Sequence, residues 1–242
     1  MKLLMLVFLI TLGQADPLKP LPSGTYPWKG SGTIFAGSGT VLSSHVMKGL
    51  SLKSGASLTY KGDQSERFFI IKKGDVSVLL GATTYTIEKG SVIVLLPGDE
   101  LSLHNNGQVT AELYEMMYAS KTPADMARGK QAGGSFVMNW KDMVFKPHDK
   151  GGIRQLFDRK TVMFSRFDIH ITTLNPGLSS HAPHTHKNEE IILMMDGDAE
   201  MLVNGKAVRC DTGDAVYVDS MVPHNLTNIG KSPSTYFAIQ WN

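Results

Sequence analysis

The apolar residues of this chain fall in short blocks rather than at helical intervals. Phe68–Ile71, Val92–Val94 and Ile191–Met195 are such blocks, and turn signals separate them: Pro97-Gly98, Asn106-Gly107 and Asn204-Gly205. Runs of about four to eight residues cut by Gly, Pro and Asn-Gly predict β-strands joined by tight turns. Strands of this length repeated along a chain predict a sandwich or barrel.

The pattern occurs twice. Gly74 and Gly197, Gly90 and Gly213, and Asn105 and Asn228 are each 123 residues apart. The same shift sets Phe68–Asp75 under Ile191–Asp198 and Ser91–Val94 under Asp214–Tyr217. An internal repeat of this length predicts one β-barrel duplicated. Between the halves, Thr122-Pro123 followed by Asp125 reads as a helix start, predicting a short helix near residues 123–130 that ends near Gly129 or Gly133. The resulting division is a leader over 1–15, a Pro- and Gly-rich extended arm over 16–44, an N-terminal barrel over 45–118, a linker over 119–164 and a C-terminal barrel over 165–242.

Composition narrows the class. Hydrophobic residues make up 42% of the 242 residues and charged ones 19%, which supports a packed core and argues against disorder. The formal net charge of +2 and the lack of a Lys/Arg stripe argue against a nucleic-acid partner. Met1 to Ala15, with Lys2, an apolar run and small residues before the expected cut after Ala15, reads as a secretory signal. An uncleaved anchor is the other reading of that segment. No later stretch is apolar and long enough to cross a bilayer. Cys210 is the only cysteine, so no intramolecular disulfide forms, and it is expected as a buried thiol. Export without disulfides suits a bacterial periplasm.

The candidate chemistry is a set of four residues, His184, His186, Glu190 and His224. Alternate residues of an extended chain share a face, so His184, His186 and Glu190 are expected together, with Ile192 and Met194 continuing the face toward the pocket. His224 joins them only if the sheet curls. Under the 123-residue shift these four positions become Lys61, Asp63, Arg67 and Leu101, so the N-terminal half carries no ligand set. On the last strand Tyr236, Ala238 and Gln240 share a face, with Tyr236 placed to donate to a developing oxyanion or else to the backbone, and Gln240 in need of a partner that substrate, water or a ligand carboxylate would serve. His181 is expected at the rim, His148 in a solvated turn, and His170, between Ile169 and Ile171, turned away from the pocket. Arg154, Arg159 and Arg166 are expected in ion pairs with Asp158 and Asp168.

The spacing from Gly177 through His184, His186 and Glu190 to Gly197, and from Gly213-Asp214 to His224 and Asn228, is similar to the two motifs of the cupins. In the middle of the second motif Asp219-Ser220-Met221 stands where the family usually has Pro-x-Gly. The chain resembles a bicupin, and its layout is similar to the ureidoglycine aminohydrolase-related bacterial group, which pairs a metal-free N-terminal barrel with a metal-bearing C-terminal one. The resemblance implies an all-β fold of two tandem cupin barrels (double-stranded β-helices, or jelly rolls) with a short linking helix. It also implies one divalent ion, manganese favoured and iron, zinc or nickel compatible. That group uses a Tyr and a Lys four residues apart on the last strand; here the positions hold Tyr236 and Gln240.

Three imidazoles and one carboxylate leave roughly one positive charge on a divalent ion and one or two open positions, which suits a small anionic or carbonyl-bearing substrate. The expected function is a metal-dependent enzyme, with an aminohydrolase of ureidoglycine type foremost and a dioxygenase or isomerase as the alternative. An exported, non-catalytic cupin that captures a small ligand or metal is the reading from a different class. A homo-oligomer is compatible with either.

Overall fold

The computed structural model describes residues 18–242; the expected leader and its cut after Ala15 lie outside them. No helix among the described residues is long and apolar enough to cross a membrane.

Two large antiparallel sheets stack face to face, each closed on its far side by a small sheet. The apolar blocks explain this arrangement. In the Glu66–Lys73 strand, Phe69 and Ile71 point into the N-terminal barrel while Phe68 and Ile70 pack against the other barrel. In the Glu189–Asp196 strand, Ile192 and Met194 point into the C-terminal barrel while Ile191, Leu193 and Met195 face the interface. A strand buried on both faces needs a continuous apolar run rather than an alternating one. The three cores are therefore one inside each barrel and one, the largest, between them.

The repeat extends to single hydrogen bonds. Asn105 Nδ2 donates to Leu52 O and Val109 O while its Oδ1 accepts from Gly107 N; Asn228 makes the same bonds to Leu174 O, Ser232 O and Gly230 N. Glu66 accepts from Tyr118 and from Met163 N of the other half; Glu189 accepts from Trp241 and from Val41 N of the other half. Each buried glutamate thus ties its own barrel's last strand to the opposite half.

Strands are also exchanged. Gly24–Tyr26 pairs with Ala215–Val218 and extends the C-terminal sheet, whereas Phe136–Met138 pairs with Val92–Leu95 and extends the N-terminal one. This corrects the reading of 16–44 as an arm and 119–164 as a linker. Gly32–Gly37 and the start of Leu42–Leu52 are N-terminal barrel strands, and Gly151–Arg159 is a full strand of the C-terminal sheet, held by Leu156 and Phe157 in the inter-barrel core. The single α-helix among the described residues runs over Met126–Gln131, later than expected, because Asp125 rather than Thr122 caps it: Asp125 Oδ1 accepts from Arg128 N at 2.9 Å. Cys210 is buried as expected, and burial pushes its thiol up to about 12.

Candidate metal centre

The two barrels differ at the mouth. In the N-terminal barrel Ser57–Tyr60 is a regular strand paired with Leu101–His104. At the matching place in the C-terminal barrel, residues 179–184 keep only two bridges, Ser179 to Thr227 and His184 to His224. The chain between, with His181 and Pro183, leaves the ladder as a loop. The expectation that His184, His186 and Glu190 lie on one extended strand is corrected accordingly: the strand begins at Glu189, and the loop folds back to carry the first two imidazoles to the barrel mouth.

One ligand atom from each of His184, His186 and His224 lies within 4.8 Å of the others. Two nitrogens sharing an ion at ~2.1 Å each can be no more than about 4 Å apart, so the group is near ligating geometry. Glu190 Oε2 is 3.0 Å from His224 Nε2 and 3.4 Å from His186 Nε2. Both Nε2 atoms are buried, yet neither makes a well-directed hydrogen bond. Donors aimed at the carboxylate would form one; these nitrogens and the carboxylate converge on a shared point instead. The other ring nitrogens fix the tautomer. His186 Nδ1 is 2.9 Å from Asn188 O and His224 Nδ1 is 2.8 Å from Val222 O, and a carbonyl can only accept. Nδ1 therefore holds the proton and Nε2 offers its lone pair, as a metal-bound imidazole requires. The donor set fits a divalent ion.

Electrostatics agree. Burial alone would raise the Glu190 carboxyl, but the His186 and His224 imidazoles close beside it and the amide of Gln240 that donates to it outweigh burial and hold the group well below the usual carboxylate range. Burial lowers His184, and the imidazoles of His181, His224 and His186 around it lower it further. His186 moves the other way, raised by the Glu190 carboxylate beside it. A neutral His184 close to an ionised carboxylate suits a cation.

The centre opens into a cavity of about 270 Å³ inside the C-terminal barrel. Ile192, Tyr236, Ala238 and Gln240 line it, as expected. Met194 does not; it is fully buried in the barrel's interior core, two residues further along the strand than Ile192. Gln240 lines the cavity, but its amide is already engaged: Nε2 donates to Glu190 Oε1 at 3.0 Å, and Oε1 accepts from Asn188 at 3.2 Å. It orients a ligand rather than waiting for substrate. Tyr236 is buried, and burial pushes its phenol up to about 12 against hydrogen bonds with Thr172 and Ser180, so it keeps its proton at neutral pH.

Four basic side chains complete the wall. His181 stands edge-on to His184 with ring centroids 4.0 Å apart, and His148, Lys150 and His170 also face the cavity. His170 and His148 correct the earlier placement. Phe167–Leu174 pairs with Ser234–Trp241 so that His170 is opposite Ala238 and Thr172 opposite Tyr236, and opposite residues share a face. His148 lies on a short edge strand beside Gly151, and Lys150 Nζ donates to Ser180 O at 3.0 Å. Of the three arginines, Arg166 pairs with Asp158 and Asp168, both at 2.8 Å, as expected. Arg154 and Arg159 instead lie on aromatic rings.

The N-terminal barrel has no such centre among the described residues. Arg67, at the position matching Glu190, is buried, bonded to both Asp63 and Glu115, with its guanidinium 4.9 Å from the Tyr60 ring centroid. A fixed internal cation takes the place that the candidate ligand Glu190 has in the other half.

Residues 170–240 match the protein family described as Cupin domain. A comparison with curated protein sequences finds no match. Among solved structures, the oxalate decarboxylase of Lactobacillus farciminis in its formate complex is similar with a TM-score of 0.68, covering 92% of this chain and 87% of that one at 13% identity. Protein Ylba from E. coli, of family DUF861, gives 0.63 with 82% and 77% covered at 13% identity. The salicylate 1,2-dioxygenase of Pseudaminobacter salicylatoxidans gives 0.61 with 81% and 70% covered at 10% identity. At such identities the likeness speaks for fold alone: this chain has a two-barrel cupin fold, and the segment that matches the Cupin domain lies in its C-terminal barrel.

Proposed function

We propose that the C-terminal barrel is a metal-dependent enzyme acting on a small anionic or carbonyl-bearing metabolite. One observation carries the reading: His184, His186, His224 and Glu190 sit at the mouth of a cavity whose wall also carries the basic side chains His148, Lys150, His170 and His181. When bound, a divalent ion, manganese first and iron, zinc or nickel as alternatives, supplies Lewis acidity toward a substrate oxygen or water. The chain's own residues supply the rest. Lys150 and the outer imidazoles attract and orient an anion. Tyr236, protonated and out of bulk water, donates to an oxygen gaining charge. Ile192 and Ala238 keep the wall apolar, which strengthens each of these contacts. Hydrolytic removal of an amino group from a ureidoglycine-like substrate is the first chemistry to test, with oxidative cleavage or isomerisation next.

A second reading, a non-catalytic cupin that captures a small anion, is favoured by one feature. Gln240 stands at the last-strand position nearest Glu190 and is spent on that carboxylate, so no amine or carboxylate outside the ligand set is free there as a base. Metal analysis of the purified protein, with ammonia-release and oxygen-consumption screens over small acids and ureides, decides between them. Turnover that depends on the ion supports the enzyme; saturable binding with no turnover under manganese, iron or zinc supports capture. We further propose that the protein is exported, with a leader removed after Ala15; mass spectrometry of native protein finding Met1 intact in the cytosol would overturn this.

A further inference from the structure

We propose that the cleft between the two barrels around Arg154 is a second binding site, taking a small monocarboxylate with an apolar body. The cleft has a volume of about 500 Å³, within the range of small-molecule sites, and lies apart from the metal cavity. Its walls come from three parts of the chain: Gly90 of the N-terminal barrel, Trp140 and Phe145 of the connecting segment, and Arg154, Thr173 and Met195 of the C-terminal sheet.

Arg154 is the unusual member. Its guanidinium carbon is 4.4 Å from the Trp140 ring centroid and 4.7 Å from that of Phe145. Its Nε is buried without a hydrogen-bond partner, and no described carboxylate pairs with it. By contrast, Arg166 and Arg67 each hold two acids. Burial lowers the Arg154 guanidinium from its ordinary value, as expected for a cation that has given up water without gaining a counter-charge. A planar fork with free donors and aromatic neighbours matches a carboxylate.

The pocket is built around these rings. A Cβ on Gly90 would meet the Trp140 ring at 2.3 Å, and a Cβ on Gly152 would meet the Phe145 ring at 2.1 Å. Two glycines therefore let the rings lie against the backbone on either side of Arg154. The ligand's size and charge follow from the rest of the lining. Met195, Trp140 and Phe145 favour an apolar body. The hydroxyls of Thr173 and Thr235, 3.1 Å apart, offer a second polar contact. Glu88 and Asp196 stand at the edge, and Asp196 is already held by Lys89 at 2.7 Å, so a second negative charge on the ligand is repelled.

Benzoate is a suitable probe, with benzyl alcohol as its neutral match and phthalate as its dianionic one. Titrated into the metal-loaded full chain, benzoate should shift the Trp140 indole and Arg154 Nε–H resonances saturably, with benzyl alcohol and phthalate at least tenfold weaker. Arg154→Gln should lose tenfold or more in benzoate affinity, whereas His184→Ala, which alters only the metal centre, should keep it. Should Arg154→Gln not fold, Arg154→Lys keeps the charge without the planar fork and should weaken binding severalfold. Equal binding of benzoate and benzyl alcohol, affinity unchanged in the arginine variants, or shifts confined to residues of the metal cavity would each overturn the proposal. So would the absence of any saturable shift, which would leave Arg154 as a stacking contact alone.

Discussion

His184 and His224 exchange both backbone hydrogen bonds, His184 N to His224 O at 3.2 Å and His224 N to His184 O at 3.0 Å. Residues 40 apart in sequence are thereby locked as a pair before either imidazole does any chemistry. This bond pair is independent of the side chains. His224→Ala or His184→Ala should leave the barrel folded and remove most of the bound metal. Metal content per chain, read beside circular dichroism, checks this; full occupancy in the double variant would refute the ligand assignment.

Gln240 holds Glu190 in position from behind. Gln240→Leu deletes the donor to Glu190 Oε1 without touching an imidazole, and a ligand's supporting hydrogen bond is worth about 10- to 100-fold in metal affinity. A competition assay against a chelator should register that loss while thermal stability changes little.

Tyr236→Phe keeps the ring and removes the hydroxyl. A hydrogen bond formed as charge develops is worth roughly 2–4 kcal/mol, or about 30- to 1000-fold in rate. On an identified substrate, kcat should fall by that order with metal content unchanged. Full activity would take the tyrosine out of the chemistry.

His45 is a titratable group in the inter-barrel core, outside the metal cavity. It is buried edge-on to Phe35 and Trp241 and near Tyr217, with its Nε2 unpartnered. Burial pushes it down to about 3. A histidine depressed in the fold contributes stability that is present above its unfolded value near 6.5 and is lost as the pH falls toward 3. The loss is about 1.4 kcal/mol per pH unit across that window. The urea midpoint of the wild type should therefore fall relative to that of His45→Phe as pH drops from 7 to 4.5, because only the wild type has a buried imidazole whose unfolded form takes up a proton in that window.

Met221 holds φ 62 at the turn where the second motif would place glycine, and its N–H bonds to His186 O at 2.8 Å. A left-handed backbone costs a side-chain-bearing residue roughly 1–2 kcal/mol, part of which glycine gives back through its freer unfolded chain. Met221→Gly should raise the melting temperature slightly with the metal site intact. A lower melting temperature would mean that the exposed methionine makes contacts the turn depends on.

The parts of this fold legible in the sequence were those set by local spacing. Gly197, Gly213 and Asn228 repeat Gly74, Gly90 and Asn105 because each pair does the same turn or capping work, and the ligands His184, His186, Glu190 and His224 sit at fixed offsets from those marks. What escaped depends on which strand lies beside which. His170 and Thr172 join the cavity only through their pairing with the last strand, and His148 and Lys150 only because the chain through Gly151 pairs back onto that strand's neighbour. Met194 has the right parity and the wrong depth, and alternation along a strand carries no information on depth. Gln240 was readable as a polar residue in need of a partner, a ligand carboxylate among the candidates; that Glu190 is the partner depends on the two strands lying side by side.

The exchange of Gly24–Tyr26 and Phe136–Met138 between the sheets bears on how the molecule can be divided. A cut near residue 120, where the repeat invites one, would strand each half's borrowed segment on the other fragment. The severed C-terminal piece would bare the backbone of Ala215–Val218, a flat and wholly apolar stretch of the sort that recruits other chains edge to edge. The crossed segments make the two barrels one unit, open to change inside either barrel but closed to the exchange of one barrel alone.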